Sequence, residues 1–146
     1  MLEAKIKENL SILNSTNFIT IRTLLMKKLC ISNKLANLYI AEYKKFLMMA
    51  TLSNQMITPS EQVDHVWHLH LTMPHHYYEL VKSIGLGYFD HTPTVGGVQQ
   101  ADLWKNCYQQ TLELYKNNFG DPPQEIWETI EERFSPLLLE HRYVDL

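Results

Sequence analysis

The sequence predicts an all-α fold: a single compact bundle of six or seven helices with one long glycine-rich loop at about residues 85–97. Three observations carry this expectation. Apolar residues recur every three or four positions through almost every segment, and no strand-like alternation persists. Helix start and stop residues bracket those segments. Four of the chain's five glycines fall in "GLGYFDHTPTVGG", which makes residues 85–97 the one long irregular stretch.

Each element follows from its own pattern. Leu2, Ile6, Leu10 and Leu13 form a narrow stripe with charges between, predicting a helix over 2–13. A second helix is expected from about Phe18 to Cys30. In "SNKLANLYIAEYKKFLMMA", Ser32 stands as N-cap, and Leu35, Leu38, Tyr39, Tyr43, Phe46 and Leu47 form the apolar face. Thr58-Pro59-Ser60-Glu61 has the pattern of a capping box with proline at the first helical position, so a helix is predicted to start with Thr58 as its cap. Pro74 either kinks that helix or opens a new one capped by Thr72 and running to about Ile84. A long helix from about Val98 to Asn118 carries Leu103, Cys107, Leu114 and Tyr115. "FGDPPQ" breaks it, a last helix is expected near 123–134, and residues 135–146 carry no clear element.

With 146 residues, 45% of them hydrophobic and 20% charged, the chain reads as one domain, 1–146, of ordinary globular composition. Its net charge of −3 argues against a general nucleic-acid binder, which needs a basic face to release counterions. Lys27/Lys28 and Lys44/Lys45 are only pairs. No apolar run approaches the roughly eighteen residues of a membrane span, and "MLEAKIKENLSIL" lacks a secretory cleavage pattern. Cys30 and Cys107 have no CxxC spacing and are expected as buried free thiols in a reducing compartment, with the cytoplasm as the default location. The expected partner is a small molecule or protein of unknown identity, not nucleic acid or membrane.

The chemistry concentrates in one place. Of seven histidines, His65, His68, His70, His75, His76 and His91 lie within 27 positions, the densest part being "VDHVWHLHL" at 63–71. Asp64 and His68 are four apart, so on a helix their side chains project from adjacent turns of one face. A carboxylate and an imidazole so placed make half of a divalent metal site, suited to zinc or iron. His91, beside Pro93 in the glycine-rich loop, is the expected third ligand; two histidines and one carboxylate leave coordination positions open for chemistry. If the helix continued through Pro74, His75 and Glu79 would share that side. His70 points nearly opposite His68 and reads as a buried, hydrogen-bonded histidine. His65 and His76 read as solvent-facing, and Trp67, Trp104 and Trp127 as core. No nucleophile elbow, phosphate loop or cysteine pair is present.

"AEYKKFL" (41–47), "PSEQVDHVWHLHL" (59–71), "HTP" (91–93), "YQQTLELYKNNFGDPP" (108–123) and Trp127, in that order, resemble the glycine-rich domain-containing protein-like family over roughly residues 20–130. The resemblance implies a helical domain of undefined biochemical activity. Its polar motif positions fall on Asp64, His68, His70 and His91, with Trp67 and Pro93 beside them. It thereby gives His70 a place at the site, as a ligand or as the group that holds one in place. Tyr78 and Gly87 match only loosely, and the glycine-rich tail of the longer relatives is absent. Two classes of function stay open: a small metalloenzyme, either an iron-dependent oxygenase or a zinc hydrolase, and a non-catalytic helical interaction module in which the same residues hold a structural ion or a buried polar network.

Overall fold

A computed structural model describes the backbone of residues 2–53, 55–86 and 98–134, and the side chains of these apart from 2 and 98–101. Among the described residues there are seven helices and no strand: α1 (Leu2–Ser15), α2 (Ile19–Leu29), α3 (Asn33–Leu52), α4 (Glu61–Leu71), α5 (Pro74–Ser83), α6 (Val98–Phe119) and α7 (Ile130–Arg133). No described helix is long and apolar enough to cross a membrane.

The central element is α3, which packs against α1, α2, α4 and α6. Ser32 caps it as the sequence predicts, its hydroxyl accepting from the Leu35 N–H at 3.1 Å. Ala36, Ile40, Tyr43 and Leu47 are buried along it at spacings of four, three and four, and Phe46, Met48 and Met49 beside them widen the inward face. Burying each large apolar side chain contributes about 1.5–3 kcal/mol, which makes α3 the main source of core stability. Its partner α4 supplies Val63, Val66 and Trp67, and the Trp67 and Phe46 rings meet at 5.2 Å between centroids.

Several boundaries differ from the sequence expectation. The cap of α4 is Ser60, not Thr58: the Ser60 hydroxyl accepts from the Val63 N–H at 3.1 Å. The Thr58 backbone is held elsewhere, because its N–H donates to Thr111 Oγ1 (3.1 Å) and its carbonyl accepts from that same hydroxyl (2.7 Å). A threonine fixed to α6 on both backbone groups cannot also begin the helix. Pro74 opens a new helix rather than kinking α4, but Thr72 is not its cap; the Thr72 hydroxyl donates back to the Leu69 carbonyl at 2.6 Å. His75 and Glu79 therefore belong to a different helix from Asp64 and His68. The expected last helix at 123–134 is a turn followed by the single turn of α7. The Ile126 and Trp127 N–H groups both donate to the Pro123 carbonyl, and Thr129 with Glu132 forms a reciprocal capping box for α7.

Cys107 is buried as expected, whereas Cys30 is exposed; both thiols are free. Cys30 ends α2 in the left-handed region (φ 53°), with its N–H donating to the Met26 carbonyl, and this turn carries its side chain to the surface. Gly85 terminates α5 at φ 84°, a conformation in which a side chain would be strained. The Leu86 N–H closes that turn onto the Val81 carbonyl at 2.9 Å. The remainder of the expected loop, 87–97, and the tail 135–146 lie outside the described residues.

Candidate functional site

Helix α4 carries polar chemistry on two opposite sides. Two residues along a helix turn through about 200°, so His68 and His70 diverge although they are near neighbours in sequence.

On the outer side, Asp64 Oδ2 and His68 Nε2 are 3.3 Å apart, with 23% and 47% of their side chains exposed. The hydrogen bond to Asp64 raises the His68 pKa, against the opposing effects of partial burial and of the Lys28 charge. His65, expected to be a surface residue, is half-buried, and burial lowers its pKa while the Glu61 and Asp64 carboxylates pull it up. The separation of the pair bears on the metal question. Two ligands each about 2.0–2.1 Å from one tetrahedral ion lie about 3.3–3.4 Å from each other. The Asp64–His68 pair thus has the donor types and the spacing of two ligands to one ion. Among the described residues, no group of three or more histidine, cysteine, aspartate or glutamate side chains converges on a common point. His91, the expected third ligand, lies outside the described residues.

On the inner side, His70 has no exposed surface and both its ring nitrogens are engaged. Nδ1 meets the Tyr43 hydroxyl at 2.7 Å, and Nε2 meets His76 Nδ1 at 2.8 Å. His76 Nε2 in turn lies 3.0 Å from the Asn17 carbonyl oxygen. The direction of this chain follows from its end. A carbonyl can only accept, so His76 carries its proton on Nε2 and presents a lone pair at Nδ1. His70 must then donate from Nε2, which leaves its Nδ1 to accept from Tyr43. One tautomer assignment satisfies all three contacts with both rings neutral. Burial, with a smaller electrostatic contribution from the neighbouring His76 ring, pushes the His70 pKa down to about 3, consistent with a neutral ring. The Phe18 ring packs edge-on against Tyr43, His70 and His76, closing the chain off on one side.

The structure thus brings Asp64 and His68 together and takes His70 to the other side of α4. Its partners Tyr43, His76 and Asn17 were not expected at a site, and His76 is half-buried rather than solvent-facing. Periodicity places Tyr43 on the inner face of α3, as the structure does, but gives no partner for its hydroxyl. The His76 contact depends on the angle between α4 and α5, which no local pattern encodes.

A second polar cluster also escaped the sequence reading. The Glu42 carboxylate, 2% exposed, accepts from the Tyr115 hydroxyl (2.5 Å) and Trp127 Nε1 (2.9 Å) and pairs with Lys45 Nζ (2.9 Å). It joins α3, α6 and the Pro123–Trp127 turn, and every partner comes from this chain.

No protein-family model, curated protein or solved structure matches the chain.

Proposed function

We propose that the chain is a helical metal-binding domain whose ion is held by Asp64 and His68 on α4 and by His91, and that it belongs to the glycine-rich domain-containing protein-like family that its motifs resemble. The observation that carries the reading is the 3.3 Å carboxylate–imidazole pair, partly exposed on a helix that is firmly packed along its other face. The donor set, one oxygen and two nitrogens, suits Zn²⁺ or Fe²⁺ and leaves coordination positions open to water or a small molecule. His70 is not among the proposed ligands. Its place is the buried hydrogen-bond chain, which ties α3, α4 and α5 to the Asn17 carbonyl just before α2, on the opposite side of α4.

The alternative, a non-catalytic helical module with a buried polar network, is favoured by one specific observation: the Tyr43–His70–His76–Asn17 chain is satisfied by protein groups alone. Elemental analysis separates the metal-binding reading from a module held by its polar network alone. Tag-free protein, purified without chelators and dialysed exhaustively, is expected to retain one zinc or iron per chain, and Asp64→Asn with His68→Gln to retain none. A folded wild-type protein that holds no ion even after reconstitution with Zn²⁺ or Fe²⁺ would leave only the module.

A further inference from the structure

We propose that the outward face of α2 is a docking surface for a second copy of this chain, which presents to it the acidic segment that follows α6. Helical geometry defines the α2 side. Ile19, Thr23 and Lys27 form one row of the helix and Thr20, Leu24 and Lys28 the next, and all six residues are exposed. Ile21 and Leu25 are buried on the other side, where α2 packs against α3 and α4. The outward face therefore begins apolar, with Ile19 58% and Leu24 38% exposed, and ends in two lysines.

The charge of this region is unbalanced. From Asn9 to Ala41 there is no aspartate or glutamate, while Arg22, Lys27, Lys28 and Lys34 all fall within that stretch. Among the described residues, none of these four cations is ion-paired. The opposite imbalance lies after α6. Residues 117–134 hold five carboxylates and a single cation, Arg133, which is buried and paired with Glu128. Asp121, Glu125, Glu131 and Glu132 are exposed. Among the described residues, no ion pair joins this segment to α2 within one chain.

Charge complementarity selects the occupant. A chain of net charge −3 is repelled at long range by a nucleic acid or an anionic lipid surface, whereas a second copy carries its own local excess of carboxylates. The two patches differ, so the contact is heterologous. Each copy uses its α2 face once and its acidic segment once, and copies join head to tail. Exposed ion pairs contribute little by themselves, and Ile19 with Leu24 adds an apolar contact that salt does not screen. The association is therefore weak and depends on concentration. It stands whether or not Asp64 and His68 hold an ion.

Sedimentation velocity of the full chain over a concentration series tests this. Wild type should sediment faster with rising concentration at low salt, and much less so at about 1 M salt, where the Debye length is about 3 Å. Lys27→Glu with Lys28→Glu, and separately Glu125→Lys with Glu131→Lys, should each weaken association about tenfold or more, because like charges then meet. Mixing these two variants should restore association, since each reversed patch meets the other. Lys5→Glu with Lys7→Glu, exposed on α1, makes the same change in net charge as the α2 variant and should associate as wild type does. All the substituted side chains are exposed, and circular dichroism checks that each variant is folded. A wild-type chain that stays monomeric at low salt up to millimolar concentration would overturn the proposal. So would a mixture no more associated than its parts, or an equal loss in the α1 control. A monomer that instead binds phosphatidylserine vesicles through Lys27 and Lys28 would assign the face to a lipid surface and overturn it as well.

Discussion

Replacing Glu42 by alanine should unfold this protein more readily than any other single polar substitution in its core. The carboxylate is the common acceptor for the Tyr115 hydroxyl and Trp127 Nε1 and the counter-ion of Lys45. Hydrogen bonds to a charged group contribute about 1.5–3 kcal/mol each, and their loss leaves two buried donors without an acceptor. The Lys45 side chain is 36% exposed, so its share is screened and worth no more than about 1 kcal/mol. The sum is tempered by relaxation of the site. Disrupting a buried network of this kind costs about 3–5 kcal/mol, and about 4 kcal/mol is expected here. For a domain of this size that corresponds to a fall in melting temperature of roughly 12–16 °C. Glu42→Gln keeps an acceptor for Tyr115 and Trp127 but loses the ion pair, and should cost about half as much. Urea denaturation followed by far-UV circular dichroism gives both values. A Glu42→Ala protein within 1 kcal/mol of wild type, at an unchanged slope, would refute the reasoning.

Acid should destabilise the metal-free protein through His70. Its folded pKa lies below its unfolded value, so between those values the unfolded chain binds more protons and stability falls as pH is lowered. From pH 6.5 to 5 the loss should be about 2 kcal/mol, absent in His70→Gln. His68 acts with the opposite sign: its raised pKa adds stability at low pH that disappears as pH rises through the folded value, and Asp64→Asn should remove that gain. Urea midpoints at the two pH values measure both. Ser60→Ala should cost about 1 kcal/mol as the true cap of α4, and Thr58→Ala should fall well short of that, because the Thr58 groups bonded to Thr111 are backbone. Equal losses in the two alanine variants would contradict the assigned cap.

What could be read in advance was whatever depends on local pattern. The apolar spacing of α3 and the Ser32 cap were legible because both are set within a few residues of chain. The pairing of Asp64 with His68 was legible for the same reason, since one helical turn fixes it. The start of α4 was not, because the contact that removes Thr58 from the helix comes from Thr111, 53 positions away. The local signal for α7 was present and passed over: Thr129 and Glu132 are three apart, the spacing of a capping box, while Pro122 and Pro123 marked an earlier start. His76 and Glu42 were illegible in a deeper sense. Each sits in an ordinary helical context, and its role arises from rings and hydroxyls that tertiary packing brings to it. The exposure of Cys30 turns on one left-handed residue that is not a glycine, which composition gives no reason to expect.

The central claim is that one ion is shared between α4 and the segment carrying His91, and a double-mutant cycle on metal affinity tests it most directly. Zn²⁺ affinity would be measured by competition with a chelator for wild type, His68→Gln, His91→Gln and the double variant. Two ligands of one ion should each cost at least tenfold alone, and the double variant should lose much less than the product of the two, because the second loss acts on a site already broken. A His91→Gln protein with wild-type affinity would contradict the claim, as would losses that simply multiply.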